Sequence, residues 1–179
     1  MQVFTKAYEP RDFVENVSAI TQSDCYLELK ANGTQIKGGV VSESKDTPID
    51  IKGHIKITQW ENFLKTAREA GSGMATGRRT YEGLQLTGPI SQAAPLLFKA
   101  LVENQSLEGT LRSFRLKKEG QKENHFNIIF KKGRLGDLDI FTSPLDGSLY
   151  YKFAIVFQEI EYTWVDGGVT HVDNVQQNQ

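Results

Sequence analysis

The chain has 179 residues and a mass of 20.1 kDa, the usual size of a single domain. Hydrophobic residues make up 39% of it, which is enough for a core that needs no disulfide or metal. The 21 basic and 22 acidic residues nearly balance. This balance argues against a dedicated nucleic-acid binder, which would show a basic excess, and against an acidic disordered tail.

Cys25 is the only cysteine, which excludes an intrachain disulfide and a cysteine-based zinc cluster. No apolar run approaches the ~20 residues needed to cross a bilayer. Glu9, Arg11 and Asp12 lie where a signal peptide would need its apolar stretch. We therefore expect a protein made in the cytosol which, if it is secreted, leaves without a cleavable signal peptide.

Residues 1–24 have mixed character, and Val14, Val17 and Ile20 have a spacing compatible with a short helix. We interpret this segment as an N-terminal arm or extension that packs on the main body.

From Tyr26 onward apolar residues alternate with polar ones, which is typical of β-strands. Leu27 and Leu29 lie on one face of a first strand, and Asn32-Gly33 predicts a turn after it. Residues 49–57 have isoleucine at four odd positions, and Gly53 among them predicts a bulge in one long strand. Further strands are predicted at residues 81–86, 111–117, 126–131, 135–140, 151–157 and 160–164. Many short strands separated by glycine and proline indicate an all-β barrel or sandwich.

Residues 91–104 are rich in alanine and leucine and predict one short helix on this β body. Pro95 suits its first turn, where a missing N–H is no loss. Leu97, Phe98, Leu101 and Val102 would form its buried apolar stripe.

Residues 61–79 read as a long exposed loop, because Gly71, Gly73 and Gly77 interrupt any strand or helix. Its glycines lack the spacing and the lysine of a phosphate-binding loop, and no βαβ unit surrounds them. Arg78 and Arg79 follow directly. We rank three roles for these arginines by how well they fit a nearly neutral protein. Plain solvation fits best, pairing with carboxylates across a protein interface is second, and phosphate binding is third.

No catalytic, cofactor or metal site is predicted. His54, His125 and His171 lie far apart in sequence, so we expect surface or strand-edge histidines. Glu159 and Glu161 share a strand face, but the alternation turns them outward.

Cys25 has no positive neighbour to lower the pKa of its thiol. The aromatic residues lack the interleaved basic residues of a base-stacking surface, so core packing is expected for Trp60, Trp164, Tyr151 and Phe153.

Several stretches together resemble the haemolysin-coregulated protein (Hcp) family, the tube proteins of type VI secretion systems. The closing stretch at residues 160–171 (IEYTWVDGGVTH) resembles the end of the family's domain. Three earlier stretches match in the same order: residues 26–29 (YLEL), 55–60 (IKITQW) and 86–101, which contain LTGPI and then APLLFKAL.

This resemblance implies a two-sheet β-barrel with a flanking helix over residues 25–173, followed by a flexible tail at 174–179. It implies six-membered rings that stack into a tube inside a contractile sheath with its baseplate proteins. A VgrG-type spike would cap the tube, and small effectors would travel in its lumen. From the residues themselves we expect that the chain is not an enzyme, binds neither cofactor nor nucleic acid, and does not insert into a membrane.

Within that expectation the long loop at residues 61–79 has the length to reach an adjacent ring. Arg78 and Arg79, together with Glu61 and Arg68, are the predicted ring-stacking residues. Two alternatives stay open: a tail-tube protein of a phage or phage-like injection system, and a monomeric ligand-binding β-barrel with a large apolar pocket.

Overall fold

The computed structural model describes residues 24–40, 49–117, 120–144 and 146–175, without the side chains of residues 75, 76 and 78. The predicted N-terminal arm (apart from Asp24) and residues 176–179 of the predicted tail lie outside the described residues.

Ten strands and one helix form the described part of the chain. In chain order they are β1 (Asp24–Ala31), β2 (Thr34–Gln35), β3 (Ile55–Ile57), β4 (Gln59–Arg68), β5 (Ala75–Pro89), α1 (Ala94–Val102), β6 (Leu107–Leu116), β7 (Lys122–Thr142), β8 (Leu149–Val156), β9 (Glu159–Trp164) and β10 (Val169–Asn174).

Two antiparallel sheets share strand β7. In the first sheet β1 pairs with β2, β3 and β6, β6 pairs with β7, and β9 lies between β7 and β10. In the second sheet the order is β7-β8-β5-β4. The first half of β7 belongs to one sheet and its second half to the other. The chain turns between them at Lys132, whose φ is 51°, and Gly133. The expected two-sheet architecture is thus confirmed, as an open barrel.

The core lies between the two sheets and follows the alternation seen in the sequence. Leu27 and Leu29 on β1 are fully buried, as are Phe130 on β7 and Phe153 on β8. The predicted turn is also present, since Asn32 and Gly33 both have positive φ (48° and 80°) between β1 and β2. This is the backbone that a two-residue type I′ hairpin requires.

Helix α1 begins and ends close to the prediction, with Pro95 in its first turn. Its buried face differs, however, because Ala94, Leu97 and Ala100 face the core while Phe98 is 61% and Val102 67% exposed. The predicted stripe was therefore wrong for Phe98 and Val102.

Two further predictions about strands were wrong. Residues 49–54 are not a strand: Gly53 has φ 75°, and His54 N donates to Ile51 O within a turn, so only Ile55–Ile57 pairs with β1. The strands predicted at 126–131 and 135–140 are one continuous strand of 21 residues, β7.

Candidate functional site: the β4–β5 hairpin and its anchor

The predicted long loop at residues 61–79 is a regular β-hairpin, which corrects the sequence interpretation. β4 and β5 pair from Gln59 opposite Thr87 at the base to Arg68 opposite Ala75 near the tip, with irregularities after Asn62 and Thr66. We call residues 59–89 the hairpin. Most side chains of β4 face solvent, so no core pattern marked residues 61–79 as strand in the sequence.

The glycine-rich tip of the hairpin is closed by its own hydrogen bonds. Glu69 N donates to Met74 O (2.9 Å), and Gly73 N donates to Glu69 O (3.0 Å). Ser72 Oγ donates to Glu69 Oε2 (2.5 Å), and Arg68 Nη1 donates to Gly73 O (3.0 Å). Two strands flank this turn, and a carboxylate lies within it. The tip therefore has neither the helix nor the free amides of a phosphate-binding loop.

The structure places the predicted stacking residues at different levels of the hairpin. Glu61 is exposed near the base, opposite Gln85, and Arg68 lies at the tip. Arg79 lies between them, opposite Thr66. Arg78 precedes it in β5, and its side chain is outside the described part. Their role in stacking stays a prediction.

Arg79 is paired within its own chain. Its Nη2 atom lies 3.0 Å from Oδ1 of Asp173 on β10. Two residues further along β5, the Tyr81 hydroxyl donates to the other oxygen of the same carboxylate, Oδ2, at 2.5 Å. Asp173 is 12% exposed. We call Arg79, Tyr81 and Asp173 the Asp173 clamp.

A second contact joins the hairpin to the first sheet nearer its base. The Tyr162 hydroxyl on β9 donates to Asn62 Oδ1, and Asn62 Nδ2 donates to Gly83 O at 3.0 Å. Beside it the rings of Trp60, Phe126 and Tyr162 stack in sequence, with centroids 6.1 Å apart in each pair. The hairpin is therefore held against β9 and β10 by both apolar and polar contacts.

The pKa of Tyr81 is raised, first because the phenol is desolvated and then because it donates to the Asp173 carboxylate, whose charge opposes ionisation. The phenol thus stays protonated and keeps its donor role. Its ring also packs edge-on against Phe157, with centroids 5.4 Å apart.

The sequence analysis missed Asp173, Tyr81, Asn62 and Tyr162. Tyr81 and Asp173 are 92 positions apart, and only the strand register brings them together. The one available signal was that Arg79 and Tyr81 share a strand face by their spacing of two.

His54 is another correction, because it is buried (6% exposed) rather than at the surface. Its Nε2 atom accepts a hydrogen bond from Arg112 Nη1 (3.1 Å), and the same nitrogen of Arg112 donates to Glu28 Oε2 (3.0 Å). His54, Arg112 and Glu28 thus lie together on the outer face of the first sheet. His125 is half-buried and His171 is exposed.

Glu159 lies on the outer face as predicted, where Lys131 Nζ lies 2.9 Å from Glu159 Oε1. This contact lowers the pKa of Glu159, as expected for a surface ion pair and not for a catalytic acid.

Cys25 is buried with its Sγ 3.3 Å from Ser113 Oγ, and burial raises the pKa of its thiol. Neither residue therefore shows the features of a catalytic group.

The described residues contain no group of three or more His, Cys, Asp or Glu side chains able to hold a metal ion. The only helix described, α1, is too short to span a membrane.

Core packing is confirmed for Tyr151 and Phe153, which are fully buried, and Trp60 packs at the edge of the core. Trp164 differs, because it is 43% exposed at the end of β9, with the Arg115 guanidinium 5.9 Å from its ring.

Several of the exposed large apolar side chains lie on the hairpin, on α1 and around β9 and β10, and others are scattered over β6, β7 and β8. The first group comprises Phe63, Leu64 and Met74 on the hairpin; Leu96, Phe98 and Val102 on α1; and Trp164, Val165, Val169 and Val172 around β9 and β10. Such surfaces are typical of proteins that associate.

The register places the hairpin tip and the β9–β10 turn at opposite ends of the subunit. At the base of the hairpin, Trp60 stacks on Phe126, which lies opposite Trp164 in the sheet. Further along, Arg79 reaches Asp173 near the other end of β10, and the tip continues beyond it.

The family described as "Type VI secretion system effector, Hcp" matches this chain over residues 26–164. No curated protein sequence matches it.

Solved structures share the fold. A mutant of Hcp1 from the E. coli EAEC 042 pathovar aligns with a TM-score of 0.73 and 24% identity, covering 84% of this chain and 97% of that one. Hcp3 from Pseudomonas aeruginosa aligns with a TM-score of 0.66 and 13% identity (86% and 99% covered). Hcp1 from Salmonella typhimurium gives 0.63 and 17% (87% and 97% covered).

Proposed function

The chain belongs to the Hcp family and is a structural subunit of the type VI secretion tube, and we propose that it acts as a closed ring of six copies. The family match over residues 26–164 is the observation that supports this proposal most strongly. Rings would stack into a tube that is expelled by contraction of the surrounding sheath, together with a VgrG-type spike and baseplate proteins. Secretion follows from the family, and we propose that it takes place through the type VI apparatus itself.

A head-to-tail ring needs two different surfaces on each subunit that fit one another. The fold offers such surfaces, because β4 and β10 are edge strands that pair on one side only within the described sheets. Val169 and Val172 are both exposed and point to opposite faces of β10, so each face of this edge strand carries one apolar side chain. Burying such edges between subunits would also protect them from aggregation.

The hairpin is suited to stacking contacts between rings. Its tip lies at one end of the subunit and exposes Met74 (69%), with Arg68 and Glu69 beside it. We propose that Arg68, Arg78 and Arg79, with Glu61 at the base, contact carboxylates or cations of the next ring. Arg79 would do so from its place beside Asp173.

The interior between the sheets argues against a monomeric ligand-binding barrel. Fully buried side chains such as Leu27, Phe130 and Phe153 fill it. A cavity of about 380 Å³ lies at the surface instead, and its lining includes the side chains of Lys37, Asp50 and Gln92. We propose that cargo travels in the lumen of the ring and that the subunit itself catalyses no reaction.

The mass of the purified protein in solution tests the ring. Light scattering after gel filtration, at low and high salt, should give about 121 kDa, six times the chain mass. Val169→Glu and Val172→Glu would place charge on the β10 surface and are expected to shift the mass toward a monomer. His171→Gln, between them and also exposed, is the matched control. A wild-type protein that stays a monomer at high micromolar concentration would contradict the proposed ring.

A further inference from the structure

We infer that Asp173 is a positioning residue that fixes the β4–β5 hairpin against the C-terminal strand, so that the hairpin and β10 move as one unit. The inference concerns the geometry of the hairpin within one subunit. Its consequence for stacking rests on the function proposed above.

Both oxygens of one carboxylate are used in the Asp173 clamp. Arg79 Nη2 lies 3.0 Å from Oδ1, and the Tyr81 hydroxyl lies 2.5 Å from Oδ2. Because Arg79 and Tyr81 are two residues apart on a strand, their side chains leave the same face and reach the same acceptor. The carboxylate is 12% exposed, so water is a poor substitute for either donor.

The Asp173 clamp lies close enough to the tip of the hairpin to fix the position of the tip relative to β10. The contact between Tyr162 and Asn62 lies nearer the base. Among the polar contacts described here, Arg79 is the hairpin residue closest to the tip that binds another element. Beyond it, the side-chain hydrogen bonds seen in the described part of the tip lie inside the hairpin, such as Arg68 to Gly73 and Ser72 to Glu69. The angle at which the tip leaves the subunit is therefore set at Asp173.

The Asp173 clamp also holds β10 in place. Strand β10 pairs with β9 alone, so one of its edges carries no strand in the described sheet. Asp173 ties this outer strand to the second sheet. A partner that displaces β10 would also break the contacts of Asp173 with Arg79 and Tyr81. The tip of the hairpin would then be free to move.

Hydrogen exchange of the full-length protein tests the coupling. In Asp173→Asn one acceptor oxygen becomes a donor facing Arg79 or Tyr81. Amides of residues 64–68 and 75–81 should then exchange about tenfold faster, together with those of β10. Amides of β1 should not change. Asp166→Asn is the matched control, because Asp166 lies in the β9–β10 turn, is 72% exposed and loses the same charge.

Tyr81→Phe is a second, milder variant that keeps the ring on Phe157 and removes only the hydroxyl. It should raise exchange in the same two segments by a smaller factor. Faster exchange in β10 with an unchanged hairpin would overturn the inference, and so would an equal rise in β1, which would mean that Asp173 only supports global stability.

A stacking assay separates this inference from the proposed function. Asp173→Asn should form rings of unchanged mass whose stacking into tubes, measured by electron microscopy, is reduced. Tubes that form normally from a variant with a faster-exchanging hairpin would refute the stacking role of the hairpin and leave the coupling through Asp173 intact.

Discussion

The guanidinium of Arg112 lies 3.1 Å from the buried imidazole of His54, and the nitrogen that makes this contact also donates to Glu28. A guanidinium can only donate, so His54 Nε2 is the acceptor of this hydrogen bond. Arg112 thus links strand β1, strand β6 and the turn before β3 on the outer face of the first sheet.

Arg112→Met should lower the free energy of unfolding by about 1–3 kcal/mol, because it leaves His54 and Glu28 without this donor. Lys131→Met is the matched control. It breaks an ion pair whose lysine is 55% exposed and should cost clearly less than Arg112→Met. Urea unfolding at one fixed protein concentration measures both. Equal effects of the two substitutions would show that the His54 group contributes no more than a surface pair.

Gly109→Ala should destabilise the protein by about 1–3 kcal/mol through overpacking. A Cβ atom there would lie 2.5 Å from Glu28 O and 2.8 Å from Phe130 Cζ, so strand and core would both have to shift. Gly71→Ala is the control, since nothing lies within 4 Å of a Cβ at that position. Thermal unfolding of the two variants compares them, and a Gly109→Ala melting temperature equal to that of Gly71→Ala would show that β6 accommodates the methyl group.

Leu97→Ala should cost about 2–5 kcal/mol, the range for a large side chain removed from a core. Phe98→Ala should change the free energy of unfolding by less than about 0.5 kcal/mol, because Phe98 is 61% exposed. Both are large apolar residues on α1, so the pair tests which face of the helix is buried. The reverse order of effects in urea unfolding would contradict the described orientation of α1.

The pH dependence of stability should include a contribution from His125. Burial, and then the nearby Arg115, lower the pKa of His125 below its usual value of 6.5. The unfolded chain therefore binds a proton more readily than the folded one just below that pH. The stability contributed by neutral His125 is present above about pH 6.5 and is lost as the pH falls through the window beneath it.

Urea midpoints at about pH 7.5 and pH 5.5 measure this contribution. His125→Gln should flatten the change between the two, whereas His171→Gln, on the exposed strand β10, should leave it as in the wild type. Glu159 titrates below this window, since its contact with Lys131 lowers its pKa from an ordinary value of 4.5. An unaltered pH dependence in His125→Gln would refute the assignment.

Charge reversal at Arg78 should weaken ring stacking and leave the mass of the single ring unchanged. Lys99→Glu reverses a charge on helix α1, away from the hairpin, and serves as the control. Negative-stain electron microscopy counts tubes against single rings for each variant. Normal tubes from both Arg78→Glu and Arg68→Glu would remove these arginines from the proposed stacking contact.

The sequence predicted those parts of the fold in which burial imposes a period. Leu27 and Leu29 alternate because one face of β1 lies in the core, and the turn at Asn32-Gly33 follows from the positive φ of both residues. The part of the hairpin at residues 61–79 could not be predicted in this way. Both of its faces meet solvent along much of β4, so Phe63 and Leu64 can be adjacent and exposed without breaking a core pattern.

The contacts of the candidate site depend on the register in which the strands pair. Composition and periodicity do not determine that register. Arg79 was identified as a residue with a carboxylate partner among its possible roles, but the partner is in its own chain. His54 was misjudged for the same reason, because Arg112, which makes its burial possible, lies 58 positions away in sequence.

Strand β7 has a mechanical consequence for the proposed function, in which sheath contraction expels the tube. Its 21 residues run without interruption from one sheet into the other. A load applied to one sheet is therefore transmitted to the other along covalent bonds as well as through packed side chains. To slide the sheets apart, an axial force would have to bend a peptide backbone whose turn at Gly133 is enclosed by Leu107, Ile155 and Phe130.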